Sequence, residues 1–240
     1  MNKNNHLIVF IAYKHFDIIK TSFDSISKYE NADYFVVENS SENSDKIQGF
    51  FRDKNIKAHI RFNQNIANSA ITVFINDYWE LLQNYDYVTI TDGDIYIQDI
   101  NATFEEVFSA FQFPEVVVSS VDLWLGNHYE NQERKTIKEY KSDFNNNKRE
   151  PISVEGHTGG FLITIPRSHL FLIKGYLFTD SNLIQTVNAN KCRWYKTNKN
   201  LGYHLTWDLY YDGNEYYEWK KQVYPMIWTE PKSSDYLKLI

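Results

Sequence analysis

Cysteine is nearly absent from this chain, since Cys192 is the only one among 240 residues. A single cysteine excludes an intramolecular disulfide and a cysteine-rich zinc site, and it fits a reducing compartment. Long hydrophobic runs are also missing: the apolar stretch near the amino terminus is too short for a signal sequence or a spanning helix, and none occurs later. We therefore expect a cytoplasmic protein, with attachment to the inner face of a membrane left open.

Basic clusters are lacking as well. The chain carries 25 Lys and Arg against 31 Asp and Glu, a net charge of −6, and it has no long basic run. A general nucleic-acid binder is therefore not expected. Aromatic residues are instead abundant, at 17% of the chain. Such side chains stack on sugars and nucleobases, although a genome rich in A and T also enriches Tyr and Phe.

Strand and helix patterns alternate through the first hundred residues. Apolar runs at 7–13, 34–41 and 58–62 have the length of strands, and the segments between them place apolar residues at helical spacing. This alternation predicts βαβ units, a mainly parallel central sheet and an α/β fold. A chain of 240 residues suits a single domain with a sizeable core.

The second half carries fewer signals. Strand patterns recur at 115–121 and 161–166, and Pro166 is expected to begin a helix. Thr103 and Glu106 have the spacing of a capping box, which predicts the start of another helix. Segment 127–150 is polar and without a strong period. We interpret it as a loop that closes over a bound ligand, or alternatively as a solvated insertion.

Two aspartates flank a glycine in DYVTITDGDIYI, at 86–97, where a strand pattern ends. Because Asp92 and Asp94 are two residues apart, both carboxylates can point to one side, where their repulsion is unfavourable unless water or a cation offsets it. Carboxylate oxygens suit Mg²⁺ or Mn²⁺, and His157 or His204 is a candidate for a further ligand. The alternative is a polar turn that closes a strand.

Polar or small residues follow each of the first four strand patterns. Ligands of open α/β sheets bind beyond the carboxyl ends of the strands, so these strand exits form the candidate site. The exits are Ala12 with Tyr13, Glu38 to Ser41, Asn63 to Ala67, and Asp92 to Asp94.

The exits carry ENSSEN at 38–43, NQNIA at 63–67 and DGD at 92–94, in that order. This series resembles the glycosyltransferases of GT-A fold, especially the large family-2 type, from about residue 7 to about residue 212. Glu38 stands where that family usually has Asp, and Asn65 where it usually has Gly. The resemblance implies one Rossmann-like nucleotide-diphospho-sugar transferase domain, in which 1–100 bind the nucleotide-sugar and 101–240 bind the acceptor.

The resemblance also implies a role for each exit residue. Asp92 and Asp94 are expected to hold Mn²⁺ or Mg²⁺ against the donor diphosphate. Glu38 and Asn39 are expected to bind the base or ribose through hydrogen bonds. The full set expected to contact the nucleotide-sugar is Ala12, Tyr13, Glu38, Asn39, Ser41, Asn63, Ala67, Asp92 and Gly93.

Two later motifs resemble the acceptor side of the same family. EGHTGGFLITIPRS at 155–168 looks like its glycine-bearing acceptor segment, which includes Gly159 and Gly160. In TWD at 206–208, Asp208 is the expected general base of an inverting transfer, with Asp122 as the second candidate, and Trp207 is expected to stack on the acceptor sugar. The alternative for TWD is the start of a helix capped by Thr206.

The implied reaction is metal-dependent transfer of a sugar, with UDP-sugar as the expected donor, to a carbohydrate or lipid-linked acceptor in bacterial surface polysaccharide synthesis. Two other classes stay open. A sugar-phosphate nucleotidyltransferase shares the α/β start but needs a glycine-rich basic loop where this chain has AYKHF. A non-catalytic carbohydrate- or nucleotide-binding module explains the aromatic residues but leaves DGD and ENSSEN unexplained.

Overall fold

A computed structural model describes residues 5–39, 43–124, 161–209, 213–215, 217–218 and 235–239. The strands are β1 (His6–Ala12), β2 (Asp33–Glu38), β3 (Ala58–Phe62), β4 (Tyr87–Asp92), β5 (Ile95–Tyr96), β6 (Val116–Val121), β7 (Phe161–Pro166), β8 (Arg193–Lys196), β9 (Tyr203–His204) and β10 (Tyr236–Lys238). The α-helices are α1 (Phe16–Ile26), α2 (Ser44–Arg52), α3 (Ser69–Asp77), α4 (Trp79–Leu82), α5 (Ile100–Ser109) and α6 (Asp180–Ala189).

Eight strands form one sheet in the order β10-β3-β2-β1-β4-β7-β6-β8. Strands β3, β2, β1 and β4 are parallel neighbours, and β8 is parallel to β6. Strand β7 lies antiparallel between β4 and β6, and β10 is antiparallel to β3. The predicted α/β fold with a mainly parallel sheet is therefore confirmed. The strand order reverses between β1 and β4, which is where open sheets of this kind bind ligands.

The central strands are buried on both faces, which explains why β1 and most of β2 are continuous apolar runs. On one face, the Phe35 ring of β2 packs on the Phe74 ring of α3, with centroids 4.7 Å apart. On the other face, the Phe10 ring of β1 packs on the Phe23 ring of α1, at 5.2 Å. The core thus packs on both faces of the strands whose carboxyl ends form the strand exits. No helix in the described part of the chain is long and apolar enough to cross a membrane.

Two helix predictions in the second half need correction. Helix α5 begins at Ile100, before the predicted capping box, because the Asp99 side chain caps it by accepting a hydrogen bond from the Ala102 amide at 3.0 Å. Glu106 is not available as a capping residue: its carboxylate accepts hydrogen bonds from the amides of Asn198 and Asn200, at 2.6 and 2.9 Å. The helix predicted after Pro166 is a 3-10 helix at Arg167–Ile173.

Candidate functional site

The four predicted strand exits meet at one edge of the sheet. Because β1 to β4 are parallel neighbours, their carboxyl ends lie together, and the registers pair Ala12 with Glu38 and Ile11 with Asp92. The first two exits are also bonded to each other, since the Asn39 amide donates to the Ala12 carbonyl at 2.9 Å. The residues that were grouped from sequence order are thus neighbours in space.

Asn39 joins the exit of β2 to the exit of β3. Its Nδ2 donates to Asn65 Oδ1 at 3.0 Å and to the Ala67 carbonyl at 3.2 Å, while its Oδ1 accepts from the Ile66 amide at 3.0 Å. Asn65 Oδ1 also accepts from the Ala67 amide at 2.9 Å. We call Asn39, Asn65, Ile66 and Ala67 the Asn39 node. Contact of Asn39 with a nucleoside stays a prediction.

The Asn39 node holds a strained piece of backbone. Ala67 has φ of +47°, in the left-handed region that favours glycine. Asn65, which stands where the resembled family usually has glycine, is not among the residues with positive φ. The unusual backbone shape of this segment therefore lies two residues later than the motif indicates, and the side-chain amides of Asn39 and Asn65 maintain it.

Glu38 ends β2 as predicted, but its carboxylate is fully buried. Oε2 lies 3.0 Å from His59 Nε2 of β3, and Oε1 accepts a hydrogen bond from the hydroxyl of Ser44, the first residue of α2, at 2.5 Å. These partners offset the cost of burying a carboxylate. Contact between Glu38 and a base or ribose stays a prediction, and any such contact has to compete with Ser44 and His59.

The DGD turn connects β4 to β5 and packs on β1. A Cβ atom at Gly93 would lie 2.4 Å from the Ile11 carbonyl oxygen, so a larger residue there forces the backbone to move. Glycine therefore lets the turn lie against the exit of β1, at the point where the strand order reverses. Asp92 ends β4 and is exposed, whereas Asp94 is partly buried.

Asp94 is held by residues from the far end of the chain. Strand β5 pairs with β9, which sets Ile95 opposite His204. Asp94 Oδ2 accepts a hydrogen bond from the Thr206 hydroxyl at 2.9 Å and lies 3.1 Å from His204 Nε2, and the Asp94 carbonyl accepts from the Leu205 amide at 2.7 Å. We call Asp94, His204, Leu205 and Thr206 the Asp94 node. The histidine named from sequence as a further metal-ligand candidate thus lies beside one of the two aspartates.

The DGD turn fits a divalent cation only if a bound ligand supplies part of the coordination. Among the residues that the structure describes, no group of three or more His, Cys, Asp or Glu side chains is arranged to hold a metal ion. Mg²⁺ and similar hard cations are commonly bound by one or two carboxylates, with phosphate and water as the other ligands. Asp92 and Asp94 supply that donor set, and a diphosphate would supply the remainder.

A second charged pair lies farther along the same edge. Asp122 directly follows β6, and its Oδ1 lies 3.3 Å from Nζ of Lys196, the last residue of β8. The Lys196 side chain is 5% exposed and that of Asp122 is 32% exposed. Burial lowers the pKa of Lys196, against the opposing effect of the Asp122 carboxylate. Sequence reasoning missed Lys196, because one lysine at the end of a short strand looks like any surface lysine.

The remaining predicted site residues are only partly visible. Tyr13 is half-buried and Asn63 is exposed. Trp207 and Asp208 lie in a 3-10 helix at Leu205–Leu209, and only the backbone of these two residues is described here. Thr206 lies within that helix, and its hydroxyl binds Asp94. The predictions for Ser41, His157, Gly159, Gly160 and segment 127–150 lie outside the described residues.

Comparison with solved structures identifies the fold. A mannosyltransferase of Pyrobaculum calidifontis, solved with GDP-Man and Mn²⁺, superposes with a TM-score of 0.57 at 12% identity, over 90% of this chain and 59% of that one. A putative nucleotide-diphospho-sugar transferase of Desulfovibrio desulfuricans superposes with a TM-score of 0.50 at 9% identity, over 94% and 97% of the two chains. The chain thus has the GT-A fold that the sequence predicted.

Sequence comparison finds relatives in Acanthamoeba polyphaga mimivirus. Two uncharacterized proteins of that virus are 29% and 26% identical, over 94% and 95% of this chain. The matches span 33% and 49% of those proteins, so the chain corresponds to half or less of their length. No family model matches the chain.

Proposed function

We propose that this chain is a metal-dependent glycosyltransferase that moves a sugar from a nucleotide-diphosphate donor to a glycan or lipid-linked acceptor. The observation that carries the proposal is the position of DGD. The turn lies at the reversal of strand order, Gly93 brings it against β1, and Thr206 and His204 contact Asp94. A plain polar turn does not require a buried hydroxyl and an imidazole from a distant segment.

The proposed roles follow from the arrangement of the exits. Asp92 and Asp94 hold Mn²⁺ or Mg²⁺, and His204 is the first candidate for a third protein ligand. The bound cation stabilises the charge that grows on the diphosphate leaving group. The Asn39 node and Tyr13 shape the nucleoside pocket, with Ala12, Glu38, Ser41, Asn63 and Gly93 as its other proposed residues. Residues 1–100 thus form the donor half of one catalytic domain, and 101–240 form the acceptor half.

The acceptor side of the proposal rests on the sequence motifs. Asp208 accepts the proton of the acceptor hydroxyl as that hydroxyl attacks the anomeric carbon from the face opposite the diphosphate, which inverts the configuration. Trp207 stacks on the acceptor sugar, beside Gly159 and Gly160. UDP as the donor nucleotide, Mn²⁺ as the cation and bacterial surface polysaccharide as the product remain the finer predictions, and the curated relatives with 29% and 26% identity belong to a virus.

A thermal-shift panel tests the proposal without knowledge of the acceptor. UDP, GDP, UDP-glucose, UDP-galactose, UDP-N-acetylglucosamine and GDP-mannose are each added with and without Mn²⁺. A ligand at a hundred times its Kd stabilises the folded state by about 2.7 kcal/mol, which is readily seen as a rise in Tm. We expect at least one nucleotide-sugar to raise Tm more with Mn²⁺ than without it, and the same compound to be consumed slowly in solution.

The matched control is Asp86→Asn, because Asp86 precedes the same strand at the opposite edge and forms an exposed ion pair with Arg167. The Mn²⁺-dependent part of the shift is expected to persist in Asp86→Asn and to disappear in Asp92→Asn. Stabilisation by free sugars alone, with no response to nucleotides or Mn²⁺, would instead favour the non-catalytic binding module.

A further inference from the structure

We propose that Asp122 and Lys196 form a subsite for the donor sugar, in which the Asp122 carboxylate binds a pyranose hydroxyl and Lys196 holds that carboxylate in place. This subsite rests on the proposed function. It gives Asp122, the second candidate for the general base, a donor-binding role instead, and it adds Lys196, which the sequence did not single out.

The position follows from the strand registers. Ile90 of β4 pairs with Ile163 of β7, and Phe161 of β7 pairs with Val121 of β6. Carried to the ends of the strands, these registers place Asp122 one residue beyond the level of Asp92, two strand spacings across the sheet. Two spacings amount to about 10 Å. A cation-bound diphosphate at Asp92 would therefore direct a pyranose ring toward Asp122.

The ion pair is not required to join the ends of β6 and β8, because other hydrogen bonds already do so. The Thr197 amide donates to the Ser120 carbonyl at 2.9 Å, and the Asp122 amide donates to the Thr197 hydroxyl oxygen at 3.1 Å. The Asp122 carbonyl also accepts from the Gly202 amide at 2.8 Å. The Lys196 ammonium therefore adds little to the connection and instead fixes the direction of the Asp122 carboxylate.

The chemistry of the pair suits a sugar. Burying an ammonium group is costly, and a neighbouring carboxylate offsets that cost. Lys196 takes the buried position while about a third of the Asp122 side chain, 32%, stays exposed. A partly exposed carboxylate is a strong acceptor for hydroxyl protons. The pair thus presents a fixed acceptor at the surface without a net charge that would repel a diphosphate.

Isothermal titration with Mn²⁺ tests the subsite through the part of the affinity that depends on the sugar. The probes are UDP-glucose against UDP and GDP-mannose against GDP, with wild type, Asp122→Asn, Lys196→Met and Lys196→Arg. For the pair that wild type binds, Asp122→Asn is expected to leave the Kd of the nucleoside diphosphate within twofold and to raise the Kd of the nucleotide-sugar at least tenfold. Lys196→Met should weaken binding of the nucleotide-sugar in the same selective way. Lys196→Arg should retain most of the wild-type affinity for the nucleotide-sugar, because a cation still faces Asp122.

The outcomes separate the two proposals. If wild type binds a nucleotide-sugar and Asp122→Asn binds it within twofold of wild type, the subsite is wrong and the proposed function stands. If wild type binds neither nucleotides nor nucleotide-sugars, the proposed function fails and the subsite fails with it. Equal weakening of the nucleoside diphosphate and the nucleotide-sugar would mean that the pair only supports the fold, which also overturns the subsite. Circular dichroism of each variant verifies that it is folded.

Discussion

The Asn39 node and the Asp94 node lie at the same edge of the sheet but are built differently. Asn39 reaches partners 26 and 28 residues away, all within the first half of the chain. Asp94 reaches Thr206, 112 residues away. The first node uses neutral amides that bond backbone groups, and the second surrounds a carboxylate with a hydroxyl and an imidazole. The comparison indicates that the Asn39 node forms from neighbouring segments of the chain, whereas the Asp94 node needs both halves of the chain.

The largest expected effect comes from removing a charge at the DGD turn. Asp94→Asn and Asp92→Asn are each expected to reduce Mn²⁺-dependent transfer at least about a hundredfold, because the amide is a poorer ligand and each 1.36 kcal/mol of lost stabilisation slows a reaction about tenfold. Initial rates with and without Mn²⁺ measure the effect. Asp92 is exposed, so its variant should keep the unfolding free energy of wild type, and full activity in either variant would sink the metal assignment.

The next largest effect is expected from a substitution that disrupts the Asn39 node. Asn39→Ala removes three side-chain hydrogen bonds and leaves the amide of buried Ile66 without this acceptor. We expect the unfolding free energy to fall by about 2–4 kcal/mol, since a buried donor without a partner costs roughly 1–3 kcal/mol by itself. Urea unfolding measures this. Asn63→Ala is the matched control, because Asn63 is exposed, and it should stay within about 0.5 kcal/mol of wild type.

A smaller effect tests whether the two nodes are independent. Thr206→Val keeps the shape of a buried side chain but removes the hydrogen bond to Asp94. We expect a loss of about 1–2 kcal/mol in unfolding free energy and a weaker affinity for Mn²⁺, because hydrogen bonds to charged groups are worth more than neutral ones. Titration of UDP or GDP without Mn²⁺ should give the wild-type Kd. Thr206→Ser, which retains the hydroxyl, should behave as wild type, and a changed nucleotide Kd in Thr206→Val would refute the independence of the nodes.

The smallest expected effect is a pH dependence of stability that comes from His6, at the opposite edge of the sheet. It has to be known before a pH profile of ligand binding can be interpreted. Burial lowers the pKa of His6 to about 3. The unfolded chain, with a histidine pKa near 6.5, therefore binds more protons at intermediate pH, so stability is complete above pH 6.5 and falls as the pH drops toward 3. From pH 6.5 to 5.5 the loss is about 1 kcal/mol.

His6→Phe should flatten that slope, because the ring keeps its aromatic neighbours Phe104 and Phe108 and Thr89 keeps its contact with Thr164. Urea unfolding at several pH values measures the slope. An unchanged slope would assign it to other groups. If His6→Phe removes the slope, any acid sensitivity of ligand binding that remains belongs to groups at the site edge.

The sequence predicted the parts of this molecule that depend on periodic patterns. Apolar runs located β1 to β4 to within one or two residues at most boundaries, and 161–166 matches β7. The convergence of the exits followed, since parallel neighbours end at one edge. The start of α5 was missed because a stronger cap, Asp99, lies one turn before the predicted one.

The contacts within the site were not predictable in the same way. Strand β9 has two residues, too few to show a period, so its pairing with β5 and the contact of Thr206 with Asp94 were not predictable. His204 was named from the sequence only as one of two histidines that could add a metal ligand. The side chains of Glu38 and Asn39 were expected to face a ligand, yet here they bond to protein groups. A polar side chain after a strand serves either purpose equally well. Its hydrogen-bond partners decide which purpose it serves, and the sequence pattern does not show which segments supply those partners.

The pairing of β5 with β9 also means that parts of the site form at different times during translation. Thr206 is made 112 residues after Asp94, which takes about 6–22 s at roughly 5–20 residues per second. Strand β7, the second neighbour of β4, is made late as well. During that interval, the nascent chain can pair β1, β2, β3 and β4, with β4 as an open edge. The Asn39 node is therefore complete before Thr206 and His204 reach Asp94. If the proposed roles hold, a chain that ends before β9 is expected to bind nucleotide without its cation.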